Sequence, residues 1–192
     1  MANKVLVQEM DGTPKQIVFA DHATNFSPTA ANDLRKTTDG THELDVEMNV
    51  GALANLAYWQ SAKFDFGENR ALSYAVRMVT KLAATPTVGN TIDIWLSPSQ
   101  SATAGTANAG GASGANATYT GYSSNAAASV KQLQELPSGV VTTQTTMQII
   151  ECGRFSPTER YGSLVLLNGA GSAFTDDIEF HVVFDPQVDE VQ

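Results

Sequence analysis

The stretch TIDIWLSPSQSATAGTANAGGASGANATYTGYSSNAAAS, residues 91–129, joins two different kinds of sequence. Its first part, Thr91 to Leu96, alternates apolar and polar residues, which predicts a half-buried β-strand. The remainder consists almost wholly of Ala, Gly, Ser, Thr and Asn, and no Asp, Glu, Lys or Arg occurs from Ile94 to Val130. We therefore expect a β-rich body that carries one long, uncharged loop or arm at about residues 97–124.

Short segments of strand-like composition, separated by turn-forming pairs, occupy most of the remaining chain. Ser124 to Leu136 is the best helix candidate, because three alanines follow a capping residue and Pro137 would stop the helix. These segments predict a mainly β fold, an antiparallel β-sandwich of jelly-roll type with one short helix and one long Gly/Ala/Ser-rich loop. The predicted strands, besides Thr91–Leu96, are Lys4–Gln8, Gln16–Ala20, Glu43–Met48, Gln60–Phe66, Leu72–Leu82, Gly139–Thr146, Met147–Cys152, Ser163–Leu167 and Ile178–Phe184.

Local patterns leave some details of this fold open. Leu72 to Leu82 fits the helical period as well as the strand period, and its Tyr, Val and Thr residues favour the strand. Val50 to Trp59 fits either a short helix or an apolar bend. Lys4–Gln8 and Gln16–Ala20 are placed to form a hairpin around a turn, and Asn168-Gly169 is a hairpin turn signal. Pro186 is expected to end regular structure.

Composition limits the classes of partner. The 192 residues fit one domain, residues 1–192, and charged residues make up only 16% of them against the usual quarter. Such a surface is typical of a protein that is partly covered by a partner. The formal net charge of −9 argues against nucleic-acid binding, because affinity for phosphate requires clustered Lys and Arg. No apolar run is long enough for a membrane span, and no signal peptide opens the chain, so we expect synthesis in a cytoplasm.

No group of residues predicts catalysis, a metal site or a cofactor. His22, His42 and His181 lack partners at metal-ligand spacing, and the chain has no Gly-x-Ser-x-Gly elbow. The glycine-containing segment 169–173 fails as a dinucleotide-binding loop at Phe174. We expect no enzyme activity, and a hydrolase is the least favoured class.

The uncharged segment has two interpretations, a flexible solvated loop or an arm that lies on another protein. Small polar linkers are typically flexible. Flexible tails usually carry charge, however, and Tyr119 and Tyr122 are side chains of the kind enriched at interfaces. A separate alternative is a carbohydrate-binding sandwich that stacks sugars on Trp59, Trp95 or Tyr122.

Two segments resemble small virion structural proteins of tailed bacteriophages. In residues 92–121 a Trp-x-x-Pro-Ser stretch, Trp95 to Ser99, runs into the Gly/Ala-rich loop, and residues 153–192 carry a Phe-x-Pro-x-x-Arg-Tyr-Gly segment, Phe155 to Gly162. The segment 61–76 is similar as well, so the resemblance covers most of the chain. It implies a β-sandwich component of a virus particle, a decoration or cement protein on the head.

Together, residues and resemblance predict a non-enzymatic phage virion protein, made in the host cytoplasm, that binds the assembled capsid. Expected partners are the major capsid protein or other virion proteins, with self-association or lattice binding and with no nucleic acid or membrane. A tail or neck protein is the nearest alternative. The candidate interface residues are Trp95, Tyr119, Tyr122, Phe155, Arg160 and Tyr161.

Overall fold

The structure is a computed structural model that describes residues 14–24, 26–36, 42–68, 70–142, 145–175 and 178–187, and the backbone of 5–6 and 190–191. Its strands are β1 (Val5–Leu6), β2 (Gln16–Ala20), β3 (Glu43–Glu47), β4 (Tyr58–Gln60), β5 (Phe64–Asp65), β6 (Ser73–Thr80), β7 (Thr91–Ser99), β8 (Ala117–Thr118), β9 (Gln134–Val140), β10 (Gln148–Phe155), β11 (Tyr161–Asn168), β12 (His181–Gln187) and β13 (Glu190–Val191). The helical segments are α1 (Ala126–Ser129) and 3-10 turns at Ala109–Gly111, Tyr122–Ser124 and Val130–Gln132.

Two sheets contain the main strands. The first sheet has the order β10-β6-β12-β2-β3, and the second has the order β8-β4-β11-β7-β9, with β5 also paired to β11. Eight strands form four nested antiparallel pairs, in which each inner pair lies between the two strands of the next outer pair along the chain. These pairs are β2 with β12, β4 with β11, β6 with β10, and β7 with β9. This nested antiparallel pairing is that of a jelly roll, which confirms the predicted fold class. The strand β3 is an addition that runs parallel to β2 at the edge of the first sheet.

The core lies between the sheets and is built by the period-two alternation that the sequence displays. Ile92, Ile94 and Leu96 face inward from β7 and are fully buried. Phe184 of the first sheet is at the centre of an aromatic cluster. Its ring lies edge-on to Phe19 and Phe155, with centroids 4.8 Å away in each case, and 6.2 Å from Phe64 of the second sheet.

Several strand predictions are confirmed and others need new boundaries. The strand predicted at Leu72–Leu82 forms as β6 (Ser73–Thr80), and residues 50–57 form a bend rather than a helix. The strand predicted at Gln60–Phe66 is two short strands, β4 and β5. Pro186 does not end regular structure, because it lies within β12 beyond Phe184, the last residue paired with β2. The N–H that Pro186 lacks on the side of β2 therefore costs no ladder hydrogen bond.

The helix predicted at Ser124–Leu136 is wrong over most of its length. Only Ala126–Ser129 is α-helical, with Asn125 as its cap, and a 3-10 turn follows. The remaining residues enter β9, where Leu136 pairs with Ile94 of β7 and is buried. Ladder hydrogen bonds and burial of Leu136 outweigh the weak local preference for helix. Because β9 is an edge strand, it also accommodates Pro137.

Both predicted hairpins are absent, because their strands pair elsewhere. β1 pairs with β13, while β2 lies between β12 and β3. Asn168 is the last residue of β11 in the second sheet, and the next strand, β12, belongs to the first sheet. The Asn168 amide instead donates to the carbonyl oxygens of Leu53 and Ser172, both at 2.9 Å. The segment that begins at Asn168-Gly169 is thus a connection between the two sheets and not a hairpin turn.

Replacement of Phe184 by alanine should lower the free energy of unfolding by about 3–5 kcal/mol, because it leaves a cavity in the aromatic cluster. Chemical denaturation measures the change. Leu72→Ala is the matched control, since Leu72 is 64% exposed, and it should alter stability by no more than about 0.5 kcal/mol. Equal effects of the two variants would contradict the assigned core.

Candidate binding surface: the uncharged lobe

Residues 100–130, here called the uncharged lobe, fold onto the outer face of the second sheet. Within the lobe, β8 pairs with β4, so that Trp59 lies opposite Thr118 and Gln60 opposite Ala117. The segment is therefore neither a loose loop nor an arm that extends away from the body. Its own side chains and those of the sheet hold it in place.

An apolar cluster on this outer face anchors the lobe. Tyr119 is only 2% exposed and packs with Ala112 and Val130 of the lobe against Val165 of β11. Its ring centroid lies 6.2 Å from that of Tyr58, and its hydroxyl donates to the carbonyl of Gly110 at 2.6 Å. Burial raises the pKa of the Tyr119 hydroxyl to about 12. The lobe thus has a small core of its own.

Lys63 supplies the charge that the lobe lacks. Its Nζ donates to Ser99 Oγ and to the carbonyl oxygens of Ser101, Thr103 and Thr106, at 2.7–2.9 Å. One ammonium group therefore gathers four neutral oxygens from a turn of eight residues, 99–106, in charge-assisted hydrogen bonds. Because it has three N–H donors, two of these oxygens share one of them. Burial lowers the pKa of Lys63.

One amide side chain of the body and one of the lobe, those of Gln60 and Asn116, fix the rest of the lobe. Gln60 is 3% exposed, and it donates to Ser113 Oγ at 2.8 Å while accepting from the Ser113 N–H at 3.0 Å. Asn116 Oδ1 accepts from Trp59 Nε1 at 2.8 Å and from the Asn49 N–H at 2.9 Å. These paired contacts determine the register of the lobe on the sheet.

The lobe backbone adopts conformations that isolated chains avoid. Gly114 has φ of +69°, and a Cβ there would lie 2.2 Å from the carbonyl oxygen of Ala104, so only glycine fits. Ala107, Ser123 and Ser124 also have positive φ, which costs of order 1 kcal/mol or more for each residue. The contacts described above offset this cost, which indicates that the lobe has one defined backbone conformation.

The outer surface of the lobe consists of short side chains. Tyr122, which is 53% exposed, is the one large exposed hydrophobic residue among them. Such a surface presents no charge and, apart from Gln100, no long flexible side chain. The exposed residues are Gln100, Ala102, Thr103, Ala104, Gly105, Thr106, Ala107, Ser113, Ala115, Thr118, Thr120, Tyr122, Ser123, Ser124, Asn125, Ala127 and Ala128.

The structure separates the six candidate interface residues into different environments. Tyr122 is exposed on the lobe, whereas Tyr119 and Phe155 are buried and cannot reach a partner. Phe155 lies in the main core, stacked on Tyr74 at 5.9 Å. Their assignment to an interface is corrected accordingly. Trp95 is half-buried beneath the lobe.

Arg160 and Tyr161 lie outside the lobe and have a structural role. Arg160 donates through Nε and Nη2 to Asp65 at 2.9 and 2.8 Å, and through Nη1 to Glu68 at 3.1 Å. Its guanidinium lies 5.1 Å above the Tyr161 ring. Hydrogen bonds from Arg160 hold the pKa of Asp65 below its usual range. These contacts join the connection before β11 to β5.

Sequence patterns did not identify Lys63 or Gln60 as the supports of the lobe. Alternation places Lys63 on the outer face of its segment, but nothing local indicates a target 36 or more residues further along the chain. The four acceptors include three backbone carbonyls, which carry no residue-type signature. Only the fold brings them together.

The described residues contain no group of three or more His, Cys, Asp or Glu side chains that could hold a metal ion. No helix among them is long and apolar enough to cross a membrane. The fold and the lobe define the class of the chain as a jelly-roll β-sandwich with a surface lobe. No family model, no curated protein and no solved structure matches the chain.

Replacing Lys63 by methionine should loosen the 99–106 turn while the sandwich stays folded. Three carbonyls and a hydroxyl lose their common donor, and we expect a loss of about 1–3 kcal/mol in unfolding free energy. Relative to the wild type, amide hydrogen exchange in this variant should accelerate more for residues 100–106 than for β7 and β11. Lys131→Met, at an exposed position next to the lobe, is the control and should leave both measurements unchanged.

Proposed function

We propose that this chain is a non-enzymatic structural component of a phage virion that binds the assembled capsid as a decoration or cement protein. The observation that carries the proposal is the uncharged lobe, an ordered surface of short side chains. The whole net charge of −9 lies outside residues 100–130. The protein therefore has one neutral side on an acidic body.

The side chains of this surface favour docking against another protein. Ala and Gly lose almost no side-chain entropy when they are covered, and Ser and Thr lose little. The turn around Lys63 and the cluster around Tyr119 have already ordered the backbone, so that binding does not have to order it again. Tyr122 provides a single aromatic anchor of the kind that dominates binding energy in many interfaces.

The acidic body supports a role outside the nucleic-acid compartment of a particle. Repulsion between the net negative charge and the phosphate backbone disfavours contact with packaged DNA or RNA. Our proposal is therefore that the protein binds on the outer surface of the virion, with the major capsid protein as partner. Multiple copies would then be arranged by the capsid lattice.

Two alternatives have different support. A tail or neck protein would use the same neutral surface, and only the location in the particle separates it from a capsid protein. A carbohydrate-binding platform has less support, because only Tyr122 of its three aromatic candidates is largely exposed. Trp59 is half-buried with its Nε1 hydrogen-bonded to Asn116, and Trp95 packs beneath the lobe.

Co-sedimentation with purified capsids and with purified tails tests the proposal. The wild-type protein should pellet with capsids, and the double variant A104E/A127E should lose affinity by about tenfold or more, because buried carboxylates are costly at an interface. Both alanines are exposed on the lobe.

Val88→Glu is the matched control for these charges. Val88 is 67% exposed and precedes β7, whereas the lobe follows its other end. This variant should bind like wild type. Binding to tails alone would favour the alternative location. Equal losses from both variants, or no binding to either particle, would count against the lobe as the capsid-binding surface.

A further inference from the structure

Residues 26–36, here called the strap, lie along the outer face of the first sheet. Three buried side chains of the sheet and its margin hold the strap. Gln16 donates to the Leu34 carbonyl at 3.0 Å and accepts from the Lys36 N–H at 3.0 Å. Glu179 accepts from the Thr29 N–H at 3.3 Å and also from the Asn32 side chain. The third tether is His181.

His181 is fully buried and uses both ring nitrogens. Nδ1 lies 2.7 Å from the carbonyl oxygen of Glu179, and Nε2 lies 3.2 Å from the backbone nitrogen of Leu34. The carbonyl requires a proton on Nδ1, and the Leu34 N–H requires a bare Nε2. This geometry fits only the neutral ring, because a proton on Nε2 would face the Leu34 N–H.

An aromatic contact links the same histidine to the beginning of the strap. The Phe26 ring lies edge-on to His181 at 5.2 Å and to His22 at 5.0 Å. The guanidinium of Arg35, which is also in the strap, lies over the Phe26 ring, 4.9 Å from its centroid. Displacement of the His181 ring would therefore affect both ends of the strap.

We propose that the strap is a pH-responsive cover, which protonation of His181 releases from the outer face of β2 and β12. Acid adds a donor where Leu34 already donates, and the two N–H groups repel. Once the strap lifts, the histidine becomes hydrated and its charged form is stabilised by water. Val18 and Val183, which are buried between the tethers at Gln16 and His181, become accessible.

The charged groups around His181 act in opposite directions and do not replace the lost hydrogen bond. Asp33 of the strap and Glu179 favour its protonation, whereas Arg35 opposes it. Arg77 and Lys81 lie on the neighbouring strand β6 or at its end, and His22 lies across Phe26. Burial, the largest influence, lowers the pKa of His181 from 6.5.

The direction of the pH effect follows from linkage. The closed strap holds His181 neutral, whereas an opened strap gives it an ordinary pKa near 6.5. The open form therefore binds more protons below that pH, and acid shifts the equilibrium toward opening. Between pH 7.5 and 5.5 the opening constant should therefore increase, by at most about tenfold, which is the limit for one histidine that stays neutral in the closed form.

Hydrogen exchange of residues 26–36 at pH 7.5 and 5.5, corrected for the intrinsic pH dependence of exchange, measures this constant. We expect protection of the strap to fall, by up to about tenfold, while β7 and β11 remain protected. His181→Gln keeps an acceptor but cannot be protonated, and its strap protection should not depend on pH. His22→Gln is the control and should retain the response.

Equal strap protection at both pH values in the wild type would overturn the proposal, and so would an unchanged pH response in His181→Gln. If that variant does not fold, an NMR titration of the wild-type histidines decides the matter. The Leu34 amide should then shift together with the His181 ring. A Leu34 signal that follows His22 instead, or that does not titrate, would also overturn the proposal.

Discussion

The ammonium group of Lys63 is the contact on which the surface of this protein depends. A chain segment without a single charged residue cannot build ion pairs of its own, and its turns leave carbonyl oxygens that need donors. Lys63 reaches into the turn at 99–106, and its three N–H donors lie within hydrogen-bonding distance of four oxygens. The cluster around Tyr119 then buries the apolar part of the same segment. Together these contacts convert a low-complexity sequence into a defined surface.

The two sheets are covered on their outer faces in physically different ways. The uncharged lobe is held on the second sheet by a lysine ammonium and by apolar packing. The strap at 26–36 is held on the first sheet through Gln16, Glu179 and a neutral His181. A histidine tether is sensitive to modest acidification. We therefore propose a response to acid only for the cover of the first sheet.

Strand positions were largely predictable, and errors arose where long-range pairing outweighed local preference. The alternation in Thr91–Leu96 and Leu72–Leu82 identified central strands, because one face of each must be buried. The alanines before Leu136 indicated a longer helix than forms, since β7 offers that residue ladder bonds and burial. Asn168-Gly169 indicated a hairpin, but its flanking strands belong to different sheets. Of the candidate interface residues, only Tyr122 has a largely exposed side chain on the lobe.

The sequence by itself determined that the protein is a β-sandwich with one uncharged segment. Side-chain alternation and composition are local properties, which do not depend on tertiary contacts. It also determined the acidic character of everything outside that segment. Only the tertiary structure decided where the segment lies, which residues support it and which of its tyrosines is buried. The physical reason is that Lys63 and Gln60 act on groups that are distant in sequence, and backbone carbonyls carry no sequence signature. Nested strand pairing brings those groups within hydrogen-bonding distance.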